Sequence, residues 1–256
     1  MKASTRAHYS YSLYARPDVA QGFDTDRFGG PIGVMVAERQ ETVLLRMLGT
    51  EIAGKTFLDV GAGTGRASLA LAREGGMVTA SDASPAMMDV AREKAASLGF
   101  AMSFETADAQ ALPFSARSFD TVVCFRVLMH VPDWRKALGE ICRVARLRVI
   151  LDVPPSASLA ALAPPFRRAM ERLGLRDVQA YRTFRLSRLT EELGAEGFRV
   201  LEVHREFVVP LAVHRLIGSR RLSEGVEGIM TRLGLARRFG APATILCGRQ
   251  AEESDR

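Results

Sequence analysis

The stretch that most constrains the fold runs from Leu58 to Arg66 and reads Leu-Asp-Val-Gly-Ala-Gly-Thr-Gly-Arg. A short apolar segment is interrupted by an acid and followed by three alternate glycines. Glycine tolerates backbone angles that other residues resist, and its missing Cβ lets a ligand approach the main chain. A strand that enters a helix through such a turn is typical of nucleotide-binding folds built on parallel sheets.

The spacing of the glycines distinguishes between nucleotide ligands. In the dinucleotide fingerprint the third glycine follows the second by three residues, but that position is Arg66 here and the third glycine is Gly65. Asp59 adds a second constraint, because a carboxylate at the strand end repels a pyrophosphate and attracts a ligand that carries an ammonium and a sulfonium group. The turn therefore favours S-adenosyl-L-methionine over NAD.

Length and composition predict one enzyme-sized domain. The 256 residues fit a single α/β unit with a cap, and 47% hydrophobic residues can supply its core. No run of about 18 apolar residues occurs, and the N-terminal residues lack an apolar signal-peptide core, so we expect a cytoplasmic protein. Cys124, Cys142 and Cys247 are far apart among apolar neighbours, which predicts buried thiols and neither a disulfide framework nor a metal site.

The basic charge is a weaker signal. The formal net charge is +6, but the arginines are scattered among acids, which is typical of a solvated surface and argues against a nucleic-acid partner. The exception is the stretch 208–238, where six arginines are interleaved with leucine, isoleucine and methionine. This stretch is a candidate for contact with an anionic substrate or, peripherally, with a membrane. The sequence carries no signal of oligomeric state.

Apolar periodicity predicts an alternation of strands and helices. Predicted helices cover Val34 to Leu48, Gly65 to Arg73, Pro85 to Leu98, Asp133 to Ala145 and Ser187 to Glu196. Predicted strands cover Thr56 to Val60, Met77 to Ser81, Ala101 to Thr106, Thr121 to Phe125, Leu147 to Val153, Phe198 to His204 and Ala243 to Cys247. The expected fold is α/β: a Rossmann-like, doubly wound, mostly parallel seven-stranded sheet with helical cap segments.

The alternation also divides the chain. We expect residues 1–256 to form a single domain, with an N-terminal cap over 1–50 and a cofactor-binding core over 51–153. The excursions 154–186 and 208–242 interrupt the alternation and can overhang the carboxyl edge of the sheet, where ligands of open α/β folds bind. Both are candidate substrate lids.

Three segments, Phe57 to Leu71, Ser81 to Ala95 and Ala107 to Val144, resemble motifs of the class I S-adenosylmethionine-dependent methyltransferases. The similarity is greatest to the small-molecule branch that includes the ubiquinone and menaquinone C-methyltransferases. The most specific segments are Ala107 to Phe114 and Val127 to Asp133. The resemblance covers roughly the middle half of the chain.

The resemblance implies roles for individual residues. Asp59 and the glycines face the methionine end of the cofactor. Asp82, 23 positions later, accepts both ribose hydroxyls, and Asp108 accepts from the adenine amino group. Arg126 touches the methionine moiety with its backbone and can orient a substrate anion. The full expected set is Asp59, Gly61, Ala62, Gly63, Gly65, Asp82, Ala83, Met87, Asp108, Ala109, Arg126 and Tyr14, with Leu112 as a further apolar contact of the ring.

Structural roles are the alternatives for these residues. The glycine turn could be an ordinary strand–helix connection, Asp82 a helix cap and Asp108 a surface turn. Arg126 could form a salt bridge with Asp120 or Asp133. An N-terminal cluster of Tyr9, Tyr11 and Tyr14 could close the pocket over the cofactor or pack within the cap.

His130 lies in the segment that follows the fourth predicted strand. As a neutral imidazole it could accept a proton from a hydroxyl or an activated carbon acid, whereas in the family this histidine is often structural. Both interpretations stay open. One departure from the family is the missing Lys-Pro-Gly-Gly-like turn before the fifth strand, so that turn must be tighter or the strand shifted.

The sequence thus predicts a methyltransferase that acts on a small or lipid-like acceptor through positioning and desolvation, without a metal. C-methylation of a prenylated quinone precursor is the alternative within the class. A nicotinamide oxidoreductase and a non-catalytic protein that binds S-adenosylmethionine are the alternatives outside it.

Overall fold

The computed structural model describes residues 13–159 and 181–250. The helices are α1 (Pro17–Phe28), α2 (Gly30–Leu48), α3 (Arg66–Arg73), α4 (Pro85–Ser97), α5 (Trp134–Val144), α6 (Leu186–Ala195), α7 (Leu211–Ile217), α8 (Arg220–Arg232) and α9 (Leu235–Phe239). The strands are β1 (Thr56–Val60), β2 (Met77–Asp82), β3 (Ser103–Thr106), β4 (Phe119–Phe125), β5 (Ala145–Val153), β6 (Phe198–Phe207) and β7 (Ala241–Arg249).

The strands form one seven-stranded sheet in the order β3-β2-β1-β4-β5-β7-β6. Strands β1 to β5 pair in parallel, while β7 pairs antiparallel with both β5 and β6. The strand order reverses between β1 and β4, which is the place where open α/β sheets bind ligands. The predicted Rossmann-like, mostly parallel sheet is confirmed.

Two apolar layers hold the sheet between helices. Neighbouring residues of β1 enter different layers, because side chains alternate across a strand. Leu58 packs with α5 and α6 residues such as Leu138 and Leu193. Phe57 packs with Leu44 of α2 and Leu71 of α3 on the other face. The sheet is thus covered on both faces, as a parallel sheet requires.

Local signals explain two of the helix starts. Ser84 caps α4, since its Oγ accepts from the Met87 N–H at 3.1 Å and Pro85 occupies the first helical position. Asp133 caps α5 through the Lys136 N–H at 3.1 Å. The predicted start of α4 at Pro85 is confirmed.

The connection before β5 is as tight as the missing turn motif requires. Helix α5 ends at Val144 and β5 begins at the next residue, Ala145. The register then shifts, since Phe119 faces Ala145 but Thr121 faces Arg148. One extra residue on β5 is a β-bulge, which absorbs the offset without a loop. The predicted start of this strand at Leu147 was therefore two residues late.

The excursion 208–242 contains α7, α8 and α9, and a buried polar cluster fixes it to the sheet. Glu227 of α8 accepts from the Val208 and Val209 N–H groups at 2.9 Å each. Its Oε1 also lies 2.9 Å from Nε2 of the fully buried His214 on α7. The start of the excursion is therefore held where β6 ends. Of the excursion 154–186, residues 160–180 lie outside the described part of the chain.

Candidate active site

A cavity of about 450 Å³ opens at the carboxyl ends of β1, β2, β4 and β5, within the usual size range of ligand pockets. The glycine turn after β1 forms its floor. Gly61, Ala62 and Gly63 line the cavity, whereas Gly65 does not. Gly65 instead precedes α3 with a φ of +84°, and a Cβ there would lie 3.1 Å from the Ala91 Cβ.

Gly61 and Gly63 need to be glycine for different reasons. Gly61 has a φ of +70°, and an added Cβ would lie 2.1 Å from Cγ2 of Val127. Gly63 has a φ of +56°, and nothing described lies within 4 Å of an added Cβ. The first glycine thus lets the segment after β4 pack on the turn, and the second keeps its surface toward the cavity open.

Asp82 organises the turn and lines the cavity. Its Oδ2 accepts from the Gly63 N–H at 2.9 Å and its Oδ1 from the Ser84 N–H at 2.9 Å. Burial raises the pKa of the Asp82 carboxyl, and these backbone N–H groups oppose that shift. A carboxylate has about four acceptor positions, so each oxygen can accept a further hydrogen bond from a ligand hydroxyl.

Asp59 is 2% exposed and reaches the cavity from the end of β1. Its Oδ2 accepts from Ser68 Oγ at 2.6 Å. Burial raises the pKa of Asp59 to about 6, while the Ser68 hydrogen bond opposes the shift. A cation in the cavity would stabilise the ionised form of this carboxyl.

The third predicted acid is placed differently. Asp108 is not among the cavity residues, and its Oδ1 accepts from the Gln110 N–H at 2.8 Å. That geometry is the surface turn that was the alternative interpretation. Met87, Ala107 and Ala109 do line the cavity, but Leu112 does not.

Arg126 follows β4 directly and lines the cavity. Its φ is +61°, which is uncommon for a residue with a side chain and is found at functional sites. Neither of the alternative salt bridges, with Asp120 or with Asp133, forms among the described residues. Asp120 bonds with Thr56 and Arg146, and Asp133 caps α5.

His130 and Tyr14 also reach the cavity. The His130 N–H donates to the Val127 carbonyl at 2.8 Å, so its backbone closes the turn after β4. The Tyr14 carbonyl accepts from Ser84 Oγ at 2.6 Å, which ties the N-terminal segment to the start of α4. Tyr9 and Tyr11 lie outside the described residues.

Sequence reasoning missed the wall formed by α1, α2 and the end of β5. The guanidinium of Arg66 lies 3.6 Å from the centre of the Phe28 ring and donates to Oε1 of Gln40. Burial lowers the pKa of Arg66 to about 10. Gln40 in turn donates to Asp152 Oδ2 at 2.9 Å. Like Asp59 and Asp82, Asp152 is an acid at the carboxyl end of a strand. This sequence pattern could have identified it as a candidate site residue.

Residues 13–159 and 181–250 contain no candidate membrane span and no candidate metal site. No helix there is long and apolar enough to cross a membrane. No group of three histidine, cysteine or acidic side chains there could hold a metal ion.

Comparison with known proteins agrees with this geometry. The model of the family described as "Methyltransferase domain" matches residues 58–151. A demethylmenaquinone methyltransferase of Thermus thermophilus is 40% identical over 114 residues, which cover 42% of this chain and 51% of that protein. An uncharacterized protein of Mycobacterium tuberculosis is 39% identical over 93 residues, 34% of its length. The chain thus matches about half or less of the length of these relatives.

Solved structures extend the similarity in fold to nearly the whole chain. The magnesium protoporphyrin IX methyltransferase of Synechocystis PCC 6803, crystallised with S-adenosylhomocysteine, superposes with a TM-score of 0.68 at 19% identity. The superposition covers 94% of this chain and 99% of that one. A protein described as a cyclase superposes with a TM-score of 0.57 at 21% identity, covering 84% of this chain and 81% of that one.

The sheet order, the glycine turn and the cavity at the strand ends define a class I, Rossmann-like methyltransferase fold. Residues 58–151 match the model of the methyltransferase domain family, which agrees with the resemblance stated from the sequence.

Proposed function

We propose that this chain transfers a methyl group from S-adenosyl-L-methionine to a small or lipid-like acceptor and releases S-adenosyl-L-homocysteine. The observation that carries the proposal is the pairing of Asp82 with Gly63 in the wall of the cavity. It joins a buried acid at the end of β2 to an open glycine surface after β1, within the stretch that matches the family model.

The residues present fit this cofactor. Asp82 would accept the ribose hydroxyls, and Asp59 would pair with the ammonium group. The open surface of Gly63, beside Gly61 in the cavity lining, would receive the methionine moiety, and Met87 would contact the adenine ring. Asp108 stays a predicted adenine contact, although it lies off the cavity wall. When bound, the cofactor supplies an electrophilic methyl group.

The protein itself would hold the acceptor in position and exclude water from the cavity. Caps and strand ends enclose the cavity, and a nucleophile held near Arg126 would need little further activation. His130 lines the same space, and its two interpretations as proton acceptor or brace remain open to the test given below. We propose no metal in the reaction.

The domain divisions are part of the proposal. Tyr14 and α1 would act as the N-terminal cap over 1–50, and 51–153 as the cofactor-binding core. The 208–242 excursion would be a substrate lid, since six of its residues line the cavity: Val209, Pro210, Leu211, Ala212, Ala241 and Pro242. The lid role of 154–186 is supported by Pro154 and Tyr181, which also line it.

The acceptor is proposed to be apolar over much of its surface, because Phe28, Phe207 and Leu211 border the cavity. A prenylated quinone precursor is the finer alternative, supported by the demethylmenaquinone methyltransferase among the relatives. Oxygen, nitrogen and carbon acceptors all remain within the proposal. Nucleic acid is not a proposed partner, and a cytoplasmic location stays a prediction.

Two alternative functions other than methyl transfer can be weighed against the structure. Arg66 occupies the dinucleotide glycine position and packs on Phe28, which argues against a nicotinamide oxidoreductase. A cofactor-binding protein without methyl transfer is a second candidate, since a protein described as a cyclase has a similar fold.

The surface of α8 supports peripheral membrane contact through 208–238. Its outward face carries an apolar stripe formed by Leu222, Val226, Ile229 and Leu233, of which Leu222, Ile229 and Leu233 are 63%, 56% and 67% exposed. Helical periodicity puts Arg221 and Arg232 beside the stripe. An apolar stripe flanked by arginines is typical of a helix that lies in the interface of an anionic bilayer.

Two of the arginines expected at this surface are engaged elsewhere. Arg215 donates to the Arg27 carbonyl at 3.0 Å, and Arg220 pairs with Glu38 at 2.7 Å and with Glu224 at 2.8 Å. Neither of these two side chains is therefore proposed to face a bilayer, whereas Arg221 is.

Liposome sedimentation tests the membrane contact. The protein should bind vesicles of phosphatidylglycerol and phosphatidylcholine, and binding should fall as salt rises. Leu222→Ser with Ile229→Ser should abolish it, while the matched pair Met77→Ser with Leu98→Ser, equally exposed elsewhere, should not. Equal loss in both pairs, or self-association in place of vesicle binding, would contradict the contact.

Calorimetry with S-adenosylhomocysteine tests the proposed function. Asp82→Asn should weaken binding by roughly tenfold or more, because charge-assisted hydrogen bonds are lost. The matched control Asp89→Asn changes an exposed acid on α4 and should bind normally. Wild-type affinity in Asp82→Asn would contradict the site. Deuterium-methyl-labelled S-adenosylmethionine, incubated with the protein and a small-molecule extract, should then yield a labelled product that identifies the acceptor.

A further inference from the structure

Near the carboxyl end of β5 and the paired ends of β7 and β6 lie four buried polar atoms without a hydrogen-bond partner among residues 13–159 and 181–250. They are Asp152 Oδ1, both carboxylate oxygens of Glu206, and Thr244 Oγ1. Asp152 is 2% exposed, Glu206 6% and Thr244 1%. Leaving a buried carboxylate oxygen unpaired is costly, so a stable protein keeps such atoms only for a reason.

Asp152 connects this group to the cavity. Its side chain lines the cavity beside Gln40, Arg66 and Arg126. Gln40 donates to Oδ2 at 2.9 Å, and Arg66 donates to the oxygen of the Gln40 amide. This chain of contacts fixes the orientation of the Asp152 carboxyl and leaves Oδ1 without a partner in the described part of the chain. Thr244 faces Asp152 across the β5–β7 pair.

The charges around Asp152 agree with a ligand-binding role. Burial raises the pKa of Asp152, and the positive charge of Arg126 is the largest effect that opposes the shift. Burial also raises the pKa of Glu206 to about 7, to which the charge of Asp152 contributes. Glu206 therefore lies close enough to Asp152 for the two charges to interact, and the charge of Arg126 opposes the pKa shift of both carboxyls.

The cofactor residues do not account for Asp152. Asp59 and Asp82, on β1 and β2, already supply acids for the ammonium and the ribose. Asp152 lies two strands from β1 in the opposite direction, or about 10 Å at the usual strand spacing. Arg126 follows β4, the strand between β1 and β5. Asp152 therefore lies on the side of the cavity away from Asp59 and Asp82, where we expect the acceptor to bind.

We propose that Asp152 is the acceptor-binding residue of this cavity, and that its Oδ1 accepts a hydrogen bond from an N–H or O–H group of the methyl acceptor. The acceptor is thus an amine or a hydroxyl compound with an apolar body. The proposal rests on the proposed function. The proposal assigns Glu206 no contact with the acceptor, because Glu206 does not line the cavity.

Three small aromatic probes test the chemistry of this subsite. Benzylamine carries a charged N–H donor, phenol a neutral O–H donor, and benzoate an acceptor alone. Ligand-observed NMR is recorded with the protein in the presence and absence of saturating S-adenosylhomocysteine. Benzylamine or phenol should bind more tightly than benzoate, and the tighter of the two tells an amine from a hydroxyl acceptor.

Asp152→Asn should weaken the tighter donor probe by about tenfold or more while S-adenosylhomocysteine binds as before. The same variant should raise the thermal midpoint, because it removes a buried charge with an unpaired oxygen. The matched control Asp120→Asn should lower the midpoint, since both oxygens of that buried carboxylate are bonded. A merely structural Asp152 would resemble the control.

The outcomes separate this proposal from the proposed function. Failure of S-adenosylhomocysteine to bind the wild type would contradict the methyltransferase function. Tighter benzoate binding, absence of binding by both donor probes, or unchanged donor binding in Asp152→Asn would overturn the subsite even when S-adenosylhomocysteine binds.

Discussion

Glu206 offers a quantitative test of the buried charges beside the cavity. It is 6% exposed, and neither carboxylate oxygen has a hydrogen-bond partner among the described residues. Burial, together with the charge of Asp152, raises its pKa from 4.5 to about 7, against the opposing charge of Arg126. At about 1.4 kcal/mol per pH unit, this interval corresponds to about 3 kcal/mol of free energy of unfolding.

The direction of this pKa shift determines how the stability of the folded protein changes with pH. A carboxyl whose pKa is higher in the folded state binds its proton more tightly there. Proton binding by Glu206 therefore stabilises the folded protein, and this stabilisation is fully present below pH 4.5. It is lost as the pH rises through about 7. Glu206→Gln keeps the shape of the side chain but does not titrate. The variant should therefore gain up to about 3 kcal/mol over the wild type between pH 4 and pH 8.

Urea unfolding of both proteins at these two pH values measures the difference. The exposed Glu105 of β3 offers the matched control Glu105→Gln, which should keep the wild-type pH dependence. A Glu206→Gln variant that is less stable than the wild type at pH 8, or that keeps its pH dependence, would refute the reasoning. Either result would mean that the ionised carboxylate is stabilised in the folded protein.

Two further predictions concern the residues around the glycine turn. Gly61→Ala should lose both stability and S-adenosylhomocysteine affinity in denaturation and calorimetry, because its Cβ would meet Val127, whereas Gly63→Ala, strained but uncrowded, should lose mainly affinity. Equal stability losses would show that the contact with Val127 is unimportant. If His130 accepts a proton, His130→Asn should bind the cofactor normally but lose about 10² to 10⁴ in rate and the acidic limb of the pH profile. Near-normal turnover with an unchanged profile would make it a brace.

The central part of the fold could be predicted because local signals and tertiary structure agree there. The glycine turn after β1 and the Ser84-Pro85 start of α4 each identify an element from a few residues. Strand ends were less accurate, since pairing with neighbours decides them. Strand β6 reaches Phe207, for example, because it pairs with β7 as far as Ala241.

Helix α1 was missed because its sequence carries no helical period of apolar residues. Ala20 is its only buried residue. Tertiary contacts hold it over the glycine turn instead: Asp24 accepts from Thr64 Oγ1 at 2.6 Å and pairs with Lys94. Contacts over 40 and 70 positions of sequence separation cannot be identified from a local pattern.

In the candidate site, too, local sequence patterns identify some residues and miss others. Asp59 and Asp82 were predicted because each ends a strand next to a recognisable turn, and both line the cavity. Asp152 ends β5 without such a turn and was overlooked. Asp108 follows β3 in the expected motif, but a local hydrogen bond to the Gln110 N–H directs its carboxylate into a turn. The strand-end signal could have identified Asp152, but only tertiary coordinates show that Asp108 lies off the cavity wall.

Calorimetric titration of the wild-type protein with S-adenosylhomocysteine and, separately, with NAD tests the central claim most directly. The geometry of the glycine turn, with Asp59 and Asp82 in the cavity wall and Arg66 packed against Phe28, predicts measurable binding of S-adenosylhomocysteine and none comparable of NAD. Tight NAD binding with no heat from S-adenosylhomocysteine would contradict the account.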